Sequence, residues 1–420
     1  MRALVVFTAL LMGAFGQKLF IGDQVLRIRA SDEEQMAKIR ELEHLEQLQI
    51  DFWRGPAMPS LPVDMRVPFT SLQAVKVFLE TNNIAYTIMI DDVQSLVDQE
   101  QEEIKISQIH EKSTRSFNFA SYHTLDEIYE WMDSFVSANA ALVSKMTIGQ
   151  SSEGRPLYVL RFSRQKDAKR PAIWLDMGIH SREWITQATG LWTANKIAAT
   201  HTQEPLKSIL DKMDIFVLLV TNPDGYVFTH TMNRMWRKTR SIQKGSSCIG
   251  VDPNRNWDAG FGGPGSSSNP CSETYHGARP HSEPEIQSIA GAVLGHGNVK
   301  VMLTIHSYSQ MLLFPYGYKK EHCPDHDKLN TLAKEATDAL AKLHNTKYTF
   351  GTTLETIYQA DGTTTDWAYD KANVTYSYTF ELRDKGSYGF LLPANQILPT
   401  AEETWEALKM IMQRASNETP

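Results

Sequence analysis

The stretch AIWLDMGIHSREW, residues 172–184, contains an apolar run that is followed at once by a histidine and an acid three residues apart. A run of this kind, without the alternation of a half-exposed strand, indicates a strand buried on both faces, as in a parallel sheet. His180 and Glu183 would then lie just beyond the carboxyl end of that strand. They are either a metal-binding pair or two polar residues on a surface turn.

The spacing of this pair is weak evidence on its own, because two further pairs in the chain share it. His123 and Asp126 stand next to a helix cap, and His322 and Asp325 lie in a polar turn with no strand before it. We expect both of these pairs on the surface. The pair in the quoted stretch is favoured as a metal site by its position and by the residues that follow other strands.

From about residue 116, apolar runs alternate with helical segments. Thr124 and Glu127 form a capping box for the first helix. The other strand candidates are LYVLRF (157–162), IFVLLV (215–220), VMLTI (301–305) and YSYTF (376–380), and the helical segments include TQATGLWTANKIAA (186–199) and EPEIQSIAGAV (283–293). This alternation predicts an α/β domain whose largely parallel sheet is covered by helices on both faces.

Two of these strands also end at residues suited to metal binding or acid–base chemistry. The run 301–305 leads into His306, Ser307 and Tyr308, and the run 376–380 leads into Glu381. Functional sites in such sheets lie outside the carboxyl ends of the strands, so these side chains should meet. A catalytic zinc keeps three protein ligands and one open position, and it accepts imidazole and carboxylate. We therefore predict a zinc site formed by His306 and the pair in the quoted stretch.

The region before residue 92 predicts a separate small unit. Strand patterns occur at 24–30, 48–53, 63–67 and 84–90, and two helical patterns carry Met36, Ile39 and Leu42, and Leu72, Val75, Phe78 and Leu79. The order β-α-β-β-α-β is typical of a ferredoxin-like α+β fold. Ser31 and Glu34 would form a capping box for its first helix.

A connector follows this unit. Residues 92–105 are acidic and helix-prone, and they lead into the aperiodic stretch IHEKSTRS (109–116). Lys112 and Arg115 lie in that stretch, which we interpret as a cleavable linker.

Composition and the N-terminal residues predict a soluble, secreted protein. The 420 residues are 42% hydrophobic and carry a formal net charge of −7, which argues against a general nucleic-acid binder. Arg2, an apolar stretch and small residues before Gln17 indicate a signal peptide, residues 1–16. No other stretch predicts a membrane span.

Secretion permits a disulfide and N-linked glycans. Of the three cysteines, we expect Cys248 and Cys271 to pair, because they close a short loop rich in Gly, Ser and Asn. Cys323 remains as a free thiol. Asn373 and Asn417 begin two glycan acceptor triplets, whose use stays open.

Two stretches concentrate arginines in this acidic chain, NRMWRKTR (233–240) and DPNRNWD (252–258). A guanidinium matches a carboxylate with two parallel hydrogen bonds, so the stretches suggest a substrate that carries a carboxylate. We expect Arg234 and Arg240 instead to be exposed arginines on the surface.

Taken together, HSRE, NRMWRKTR, DPNRNW, HSYSQ, IYQADG and TFELRD resemble the zinc carboxypeptidases of the pancreatic A/B family, and most closely their secreted procarboxypeptidase A type. The resemblance covers essentially the whole chain. It implies a catalytic domain at 113–420 with a mixed, largely parallel twisted sheet. An activation propeptide at 17–112 would precede it, globular over about 20–92 and with a connecting helical segment over about 93–112.

The resemblance also implies roles for single residues. Zinc would be held by His180, Glu183 and His306, a ligand set for which this family is itself a standard example. Glu381 would be the general base and Arg237 would stabilise the oxyanion. Asp252 would orient the first histidine ligand from behind. The residues that hold the substrate's terminal carboxylate or backbone would be Arg182, Asn254, Arg255, Ser307, Tyr308 and Tyr358.

The pocket for the C-terminal side chain would be lined by Leu313, Thr353, Ile357, Ala360, Thr365 and Thr379. B-type relatives place an aspartate where Thr365 stands, and A-type relatives usually place an aliphatic residue there. Because a buried basic side chain without a partner is strongly unfavourable, we predict aromatic and aliphatic C-terminal residues, with reduced discrimination. Asp361 would permit lysine if its side chain pointed into the pocket.

Two other functions stay open at this point. One is a carboxypeptidase with basic or broadened specificity, and the other is a catalytically silent peptide-binding relative. The silent relative is disfavoured because the zinc ligands, Glu381 and Arg237 are all present. The propeptide would inhibit the enzyme, assist its folding, or both.

Expected partners are peptide C-termini and an activating protease. The activating protease would be trypsin-like and would cut after Lys112, although Arg115 is an equally basic target. No nucleic acid or membrane is expected. Since no coiled coil or apolar stripe suggests association, we expect a monomer.

Overall fold

The computed structural model describes residues 16–165 and 169–419, without the side chain of His44, and these residues form two sheets. The predicted signal peptide, residues 1–16, lies outside the described residues apart from Gly16. Within the described ranges, no helix is both long enough and apolar enough to cross a bilayer.

The first unit has its own sheet and its own core. Its elements are β1 (Gln24–Arg29), α1 (Glu33–Glu41), β2 (Asp51–Arg54), β3 (Val63–Val67), α2 (Leu72–Thr81) and β4 (Ala85–Ile90). The strands pair antiparallel in the order β2-β3-β1-β4. Apolar residues of both helices share one cluster with the inner faces of the strands. The predicted β-α-β-β-α-β unit is confirmed.

Two element boundaries in this unit differ from the prediction. The cap of α1 is Asp32 and not Ser31, because the Asp32 side chain accepts a hydrogen bond from the backbone N–H of Gln35. Aspartate caps a helix as well as serine does. Strand β2 begins only at Asp51, since residues 46–48 form a 3-10 turn.

The predicted connecting helical segment at about 93–112 is present as helix α3 (Val93–Thr114), which also continues through most of the stretch 109–116 that lacks apolar periodicity. Val93, Val97, Glu100 and Ile104 form the buried face of this helix at helical spacing. The helix ends at Arg115, which adopts the left-handed conformation with φ +55°.

The second unit holds the larger sheet. Its elements are α4 (Leu125–Ala138), β5 (Val143–Gln150), β6 (Pro156–Phe162), β7 (Ala172–Met177), α5 (Trp184–Thr200), α6 (Leu206–Lys212), β8 (Asp214–Leu218), α7 (Pro223–Thr231), α8 (Pro284–His296), β9 (Val299–His306), β10 (Met311–Phe314), α9 (His326–His344), β11 (Thr349–Thr352), α10 (Thr353–Thr356), α11 (Thr364–Asp370), β12 (Tyr376–Glu381) and α12 (Ile397–Glu418). The Thr124 capping box at the start of α4 is present as predicted.

The eight strands lie in the order β11-β10-β12-β9-β7-β8-β6-β5. The four central strands β12, β9, β7 and β8 are parallel, as are β10 and β11, whereas β6 and β5 complete the other edge with antiparallel pairing. All five predicted strands are present, and β5, β10 and β11 are additional. The predicted mixed, largely parallel α/β sheet is confirmed.

Both faces of this sheet are covered. Successive residues of β7 belong to different apolar clusters: Trp174 packs with residues of α8 and α11, and Leu175 packs with residues of α5, α9 and α12. Since neighbouring side chains of a strand point to opposite faces, helices pack on each side. The carboxyl ends of the central strands remain the place where polar side chains can gather.

Two predictions of surface position are wrong. His123 is only 2% exposed: its Nε2 lies 2.9 Å from Glu111 Oε1, and its ring stacks on Phe117. Arg234 is 1% exposed and donates to both carboxylate oxygens of Glu100 in α3.

Other predicted positions can be compared directly with the structure. Arg240 is half-buried and not exposed as predicted, because its guanidinium packs over the ring of Phe228, whereas His322 is exposed as expected. Cys248 and Cys271 form the predicted disulfide, and Cys323 is a buried free thiol. Both predicted glycan acceptors, Asn373 and Asn417, are exposed.

Candidate metal centre and substrate site

A glycine turn carries the chain from β7 to the first polar pair. Gly178 has φ +67°, and a Cβ at this position would lie 2.3 Å from Gln187 Nε2, so both the backbone conformation and the space require glycine. The turn places His180 just beyond the carboxyl end of β7, and Glu183 directly precedes α5.

His180, Glu183 and His306 converge in a buried space. His180 Nδ1 lies 2.9 Å from Glu183 Oε1, and His306 Nδ1 lies 3.2 Å from Glu183 Oε2. The two Nδ1 atoms are themselves 3.2 Å apart. Each of the three residues is at most 3% exposed. Among the described residues, this is the one group of three or more His, Cys, Asp or Glu with separations suited to a metal ion.

The protonation of this cluster fits a divalent cation. His180 Nε2 lies 2.9 Å from Asp252 Oδ1, which favours a proton on Nε2 and leaves a lone pair on Nδ1. That lone pair points at a second imidazole nitrogen and at a carboxylate. Burial opposes ionisation of Glu183, but the two histidines nevertheless lower its pKa. Two imidazoles and one carboxylate are the donor set that a catalytic zinc takes.

Strand register brings Glu381 to this cluster. Glu381 is the last residue of β12 and pairs with His306 across the parallel ladder. Its burial raises its pKa to about 8; His306 opposes the rise, and Glu183 adds to it. A cation bound beside this carboxyl would favour its ionised form.

Arg237 reaches the cluster from a loop that is hydrogen-bonded to Ser181, which lies between His180 and Glu183 in the chain. The Ser181 hydroxyl donates to Trp236 O, and the Ser181 N–H donates to Arg237 O. The Arg237 guanidinium donates to Asp252 Oδ2 through Nη2 at 2.9 Å and lies 3.9 Å from Glu183. Burial opposes the charge of Asp252, but Arg237 holds its pKa well below its usual range.

Arg255 and Asn254 lie on the next turn, which Asp252 caps. Arg255 donates from Nη1 to Asn254 O at 2.8 Å, and its Nη2 lies 3.5 Å from the Tyr358 hydroxyl. Asn254 Oδ1 accepts from both the N–H and the hydroxyl of Thr364. The sequence prediction missed Thr364, because nothing in its local pattern indicates a contact with a residue 110 positions away.

The predicted side-chain pocket residues also lie together. Leu313 pairs with Thr379 between β10 and β12, and the hydroxyl of Thr379 bonds that of Thr365. Leu313, Ala360, Thr365 and Thr379 are buried, whereas Thr353 and Ile357 are partly exposed.

Asp361 does not provide a free carboxylate to this pocket. It is 2% exposed, and its Oδ2 accepts from the Gly265 N–H at 2.5 Å.

The first unit contacts two of the predicted substrate residues, Arg182 and Tyr308. Arg182 donates to both carboxylate oxygens of Asp51 at 3.0 Å, and the Tyr308 hydroxyl donates to Asp64 at 2.7 Å. Ser307 donates from its N–H to Glu183 Oε2, and its hydroxyl lacks a partner among the described residues. The sequence offered no signal for the two aspartates.

Family comparisons match both units. The family described as zinc carboxypeptidase matches residues 128–407, and the carboxypeptidase activation peptide family matches residues 26–100.

Individual relatives extend over nearly the whole chain. Carboxypeptidase A1 of Sus scrofa is 58% identical over 99% of both chains, and carboxypeptidase A5 of Homo sapiens is 55% identical over 99% of this chain and 95% of its own. Among solved structures, carboxypeptidase A from Helicoverpa armigera has a TM-score of 0.87 at 28% identity, covering 96% of this chain and 99% of its own. Thrombin activatable fibrinolysis inhibitor has a TM-score of 0.85 at 35% identity, covering 95% and 100%.

Proposed function

The chain belongs to the zinc carboxypeptidase family, and from that premise we propose which of its residues remove single amino acids from the carboxyl end of a peptide. It is the zymogen of an A-type exopeptidase that uses zinc. The observation that carries the proposal is the convergence of His180, Glu183 and His306 beside Glu381 at the carboxyl edge of the sheet.

His180 and His306, each through Nδ1, and Glu183 would hold the zinc. When bound, zinc lowers the pKa of a water toward ~7 and polarises a carbonyl. Asp252 accepts from His180 Nε2 and so keeps the Nδ1 lone pair directed into the cluster.

Glu381 moves the proton in this proposal. Its carboxylate accepts a proton from the attacking water and returns it to the nitrogen of the departing amine. Arg237 opposes the negative charge that develops on the carbonyl oxygen, and its contact with Asp252 fixes the direction of its guanidinium.

Arg255, Asn254 and Tyr358 would bind the free carboxylate of the substrate. A guanidinium beside an amide and a phenol can make several charge-assisted hydrogen bonds to one carboxylate. This contact determines which peptide bond reaches Glu381, so an internal loop of a protein is not a substrate. Arg182, Ser307 and Tyr308 would contact the peptide further from its end.

The pocket supports a preference for aromatic and aliphatic C-terminal residues. The hydroxyl groups of Thr365 and Thr379 bond each other, so neither polar group of this pair lacks a hydrogen-bond partner when an apolar side chain occupies the pocket. A basic side chain would meet no free carboxylate there, because Asp361 is bonded to Gly265.

The first unit would inhibit the enzyme by occupying the substrate path. Asp51 takes the hydrogen bonds of Arg182 that a substrate would otherwise use. Arg54 donates to Ser309, next to Tyr308 in the chain. Each unit has its own main core, and a smaller apolar cluster in which Trp53 of the first unit packs on Phe390 of the second joins them. Cutting the connector would leave only these contacts to hold the units together.

The steps before catalysis are also proposals. Residues 1–16 would direct secretion, residues 17–112 would be the activation peptide, and 113–420 would be the catalytic domain. A trypsin-like protease would cut after Lys112 or Arg115, both of which are exposed. We expect a monomer that can carry glycans at Asn373 and Asn417.

Hydrolysis of three small substrates tests this function. After trypsin treatment, hippuryl-phenylalanine should be cleaved much faster than hippuryl-arginine, and hippuryl-phenylalanine amide should resist hydrolysis. Faster cleavage of the arginine substrate would indicate the basic specificity instead. Binding of hippuryl-phenylalanine without cleavage would indicate a silent peptide-binding relative.

A further inference from the structure

The direction of the Arg255 guanidinium depends on two backbone carbonyls. Nη1 donates to Asn254 O at 2.8 Å, and Nε donates to Gly265 O at 3.0 Å. The first carbonyl belongs to the neighbouring residue in the chain. The second comes from a glycine-rich loop, GFGGPG at 260–265, which has few side chains of its own to hold it in place. The position of Gly265 therefore controls where Arg255 points.

Asp361 holds that loop. Its Oδ2 accepts the Gly265 N–H at 2.5 Å, so Gly265 is bonded on one side to Asp361 and on the other to Arg255. A Cβ on Gly263 would lie 2.4 Å from Asp361 Oδ1, and one on Gly265 would lie 2.7 Å from Oδ2. The loop backbone thus lies directly against the carboxylate. A hydrogen bond from an amide to a buried carboxylate is stronger than one to a neutral acceptor.

We propose that Asp361 is a positioning residue that acts through Gly265 to aim Arg255 at the terminal carboxylate of the substrate. This inference rests on the proposed role of Arg255. It also gives the Asp361 carboxylate a role other than the recognition of basic side chains, because one of its oxygens is bonded to the Gly265 N–H and the side chain is buried.

Kinetics of Asp361→Ala and Asp361→Asn test the proposal with hippuryl-phenylalanine as the substrate. In Asp361→Ala the Arg255 guanidinium should no longer be held in its orientation, so KM should rise about 10-fold with a smaller change in kcat. Asp361→Asn keeps an acceptor oxygen, so its KM should stay close to the wild-type value. If KM is unchanged in Asp361→Ala, or if kcat falls alone, the proposal is overturned. Should Asp361→Ala fail to fold, Asp361→Ser, which lacks the reach to Gly265, replaces it in the same comparison.

A double-mutant cycle separates positioning from a general structural effect. If Asp361 acts through Arg255, then Asp361→Ala, which raises KM about 10-fold in the wild type, should change KM by less than about 2-fold in an Arg255→Ala background. Additive effects would show that Asp361 acts elsewhere. Hippuryl-arginine is the second substrate: a loss of activity confined to it would assign Asp361 to the pocket and overturn the proposal. An Arg255→Ala variant with unchanged KM would instead reject the carboxylate site itself.

Discussion

In the central sheet of the second unit, His306 and Glu381 face each other by strand register, whereas Arg182 and Asp51 meet across the boundary between the two units, beside a small shared apolar cluster. The first arrangement is fixed by backbone hydrogen bonds and cannot change without opening the sheet. The second consists of side-chain contacts, apolar ones included, which we expect to be released when the connecting helix is cut. We therefore expect the chemistry to depend on the rigid region and the regulation to depend on the separable one.

The largest effect expected in the rigid region is that of Glu381→Gln. It removes the proton acceptor, so kcat should fall by about 10²–10⁴-fold. The zinc ligands are untouched, and zinc content should stay at the wild-type value. The matched control is Glu321→Gln at an exposed position, which should leave kcat unchanged. Wild-type kcat in the Glu381 variant would contradict its assigned role.

Arg237→Ala should have the next largest effect. Removal of a group that stabilises developing charge typically costs about 10²–10³-fold in kcat. Arg237→Lys keeps the charge but loses the paired contact with Asp252, so it should recover only part of the rate. A rise in KM with unchanged kcat would show that Arg237 only binds the substrate.

In the separable region, Asp51→Ala should give the uncut zymogen more activity. The change leaves Arg182 buried without its ion pair, which weakens the seating of the first unit. We expect basal hydrolysis of hippuryl-phenylalanine to rise about 10-fold, since breaking a buried pair costs about 3–5 kcal/mol and only part of it opens the site. Asp91→Asn, an exposed acid of the same unit, is the control. An unchanged basal rate would show that Asp51 does not contribute to inhibition.

The smallest effect concerns the site of cleavage. Glu111 holds the end of α3 to the second unit, because its Oε1 accepts from the Asn118 N–H and lies 2.9 Å from His123 Nε2. Since a protease needs an extended chain on both sides of its bond, this contact should protect Lys112 more than Arg115. Glu111→Gln should therefore speed cleavage after Lys112 about 5-fold, corresponding to about 1 kcal/mol.

Mass spectrometry of a timed trypsin digest measures both cuts. Chains beginning at Ser116 should appear before chains beginning at Ser113 in the wild type. Arg115→Gln and Lys112→Gln identify each product. Equal rates at both bonds in the wild type and the Glu111 variant would contradict the protection.

The sequence predicted the rigid region well because its signals are local. An apolar run identifies a buried strand, and parallel neighbours place the residues that follow them at one edge. His180, Glu183, His306 and Glu381 were found in this way, before any contact between them was known. The fold class followed from the same alternation of strands and helices.

Contacts in the separable region could not be read from local pattern. Asp51 and Arg182 are 131 positions apart, and Glu100 and Arg234 are 134 positions apart. The large sequence separation between Arg234 and Glu100 also explains why Arg234 was predicted to lie on the surface. A charged residue is usually exposed unless a partner neutralises it, and the sequence does not identify that partner.

The burial of His123 has the same cause. Its partner Glu111 lies near the end of α3, in a stretch without apolar periodicity. The local sequence pattern therefore does not indicate the contact. The predicted connecting helical segment corresponds to α3, whose buried face ends several residues before the helix does.

Zinc content is the most direct measure of whether the three buried ligands form the catalytic centre. Elemental mass spectrometry on the trypsin-activated wild type and on His306→Ala provides it, because loss of one of three protein ligands should greatly weaken binding. We predict about one zinc per chain in the wild type and almost none in the variant. A wild-type protein that hydrolyses hippuryl-phenylalanine without zinc, or a variant that retains its zinc, would contradict the account.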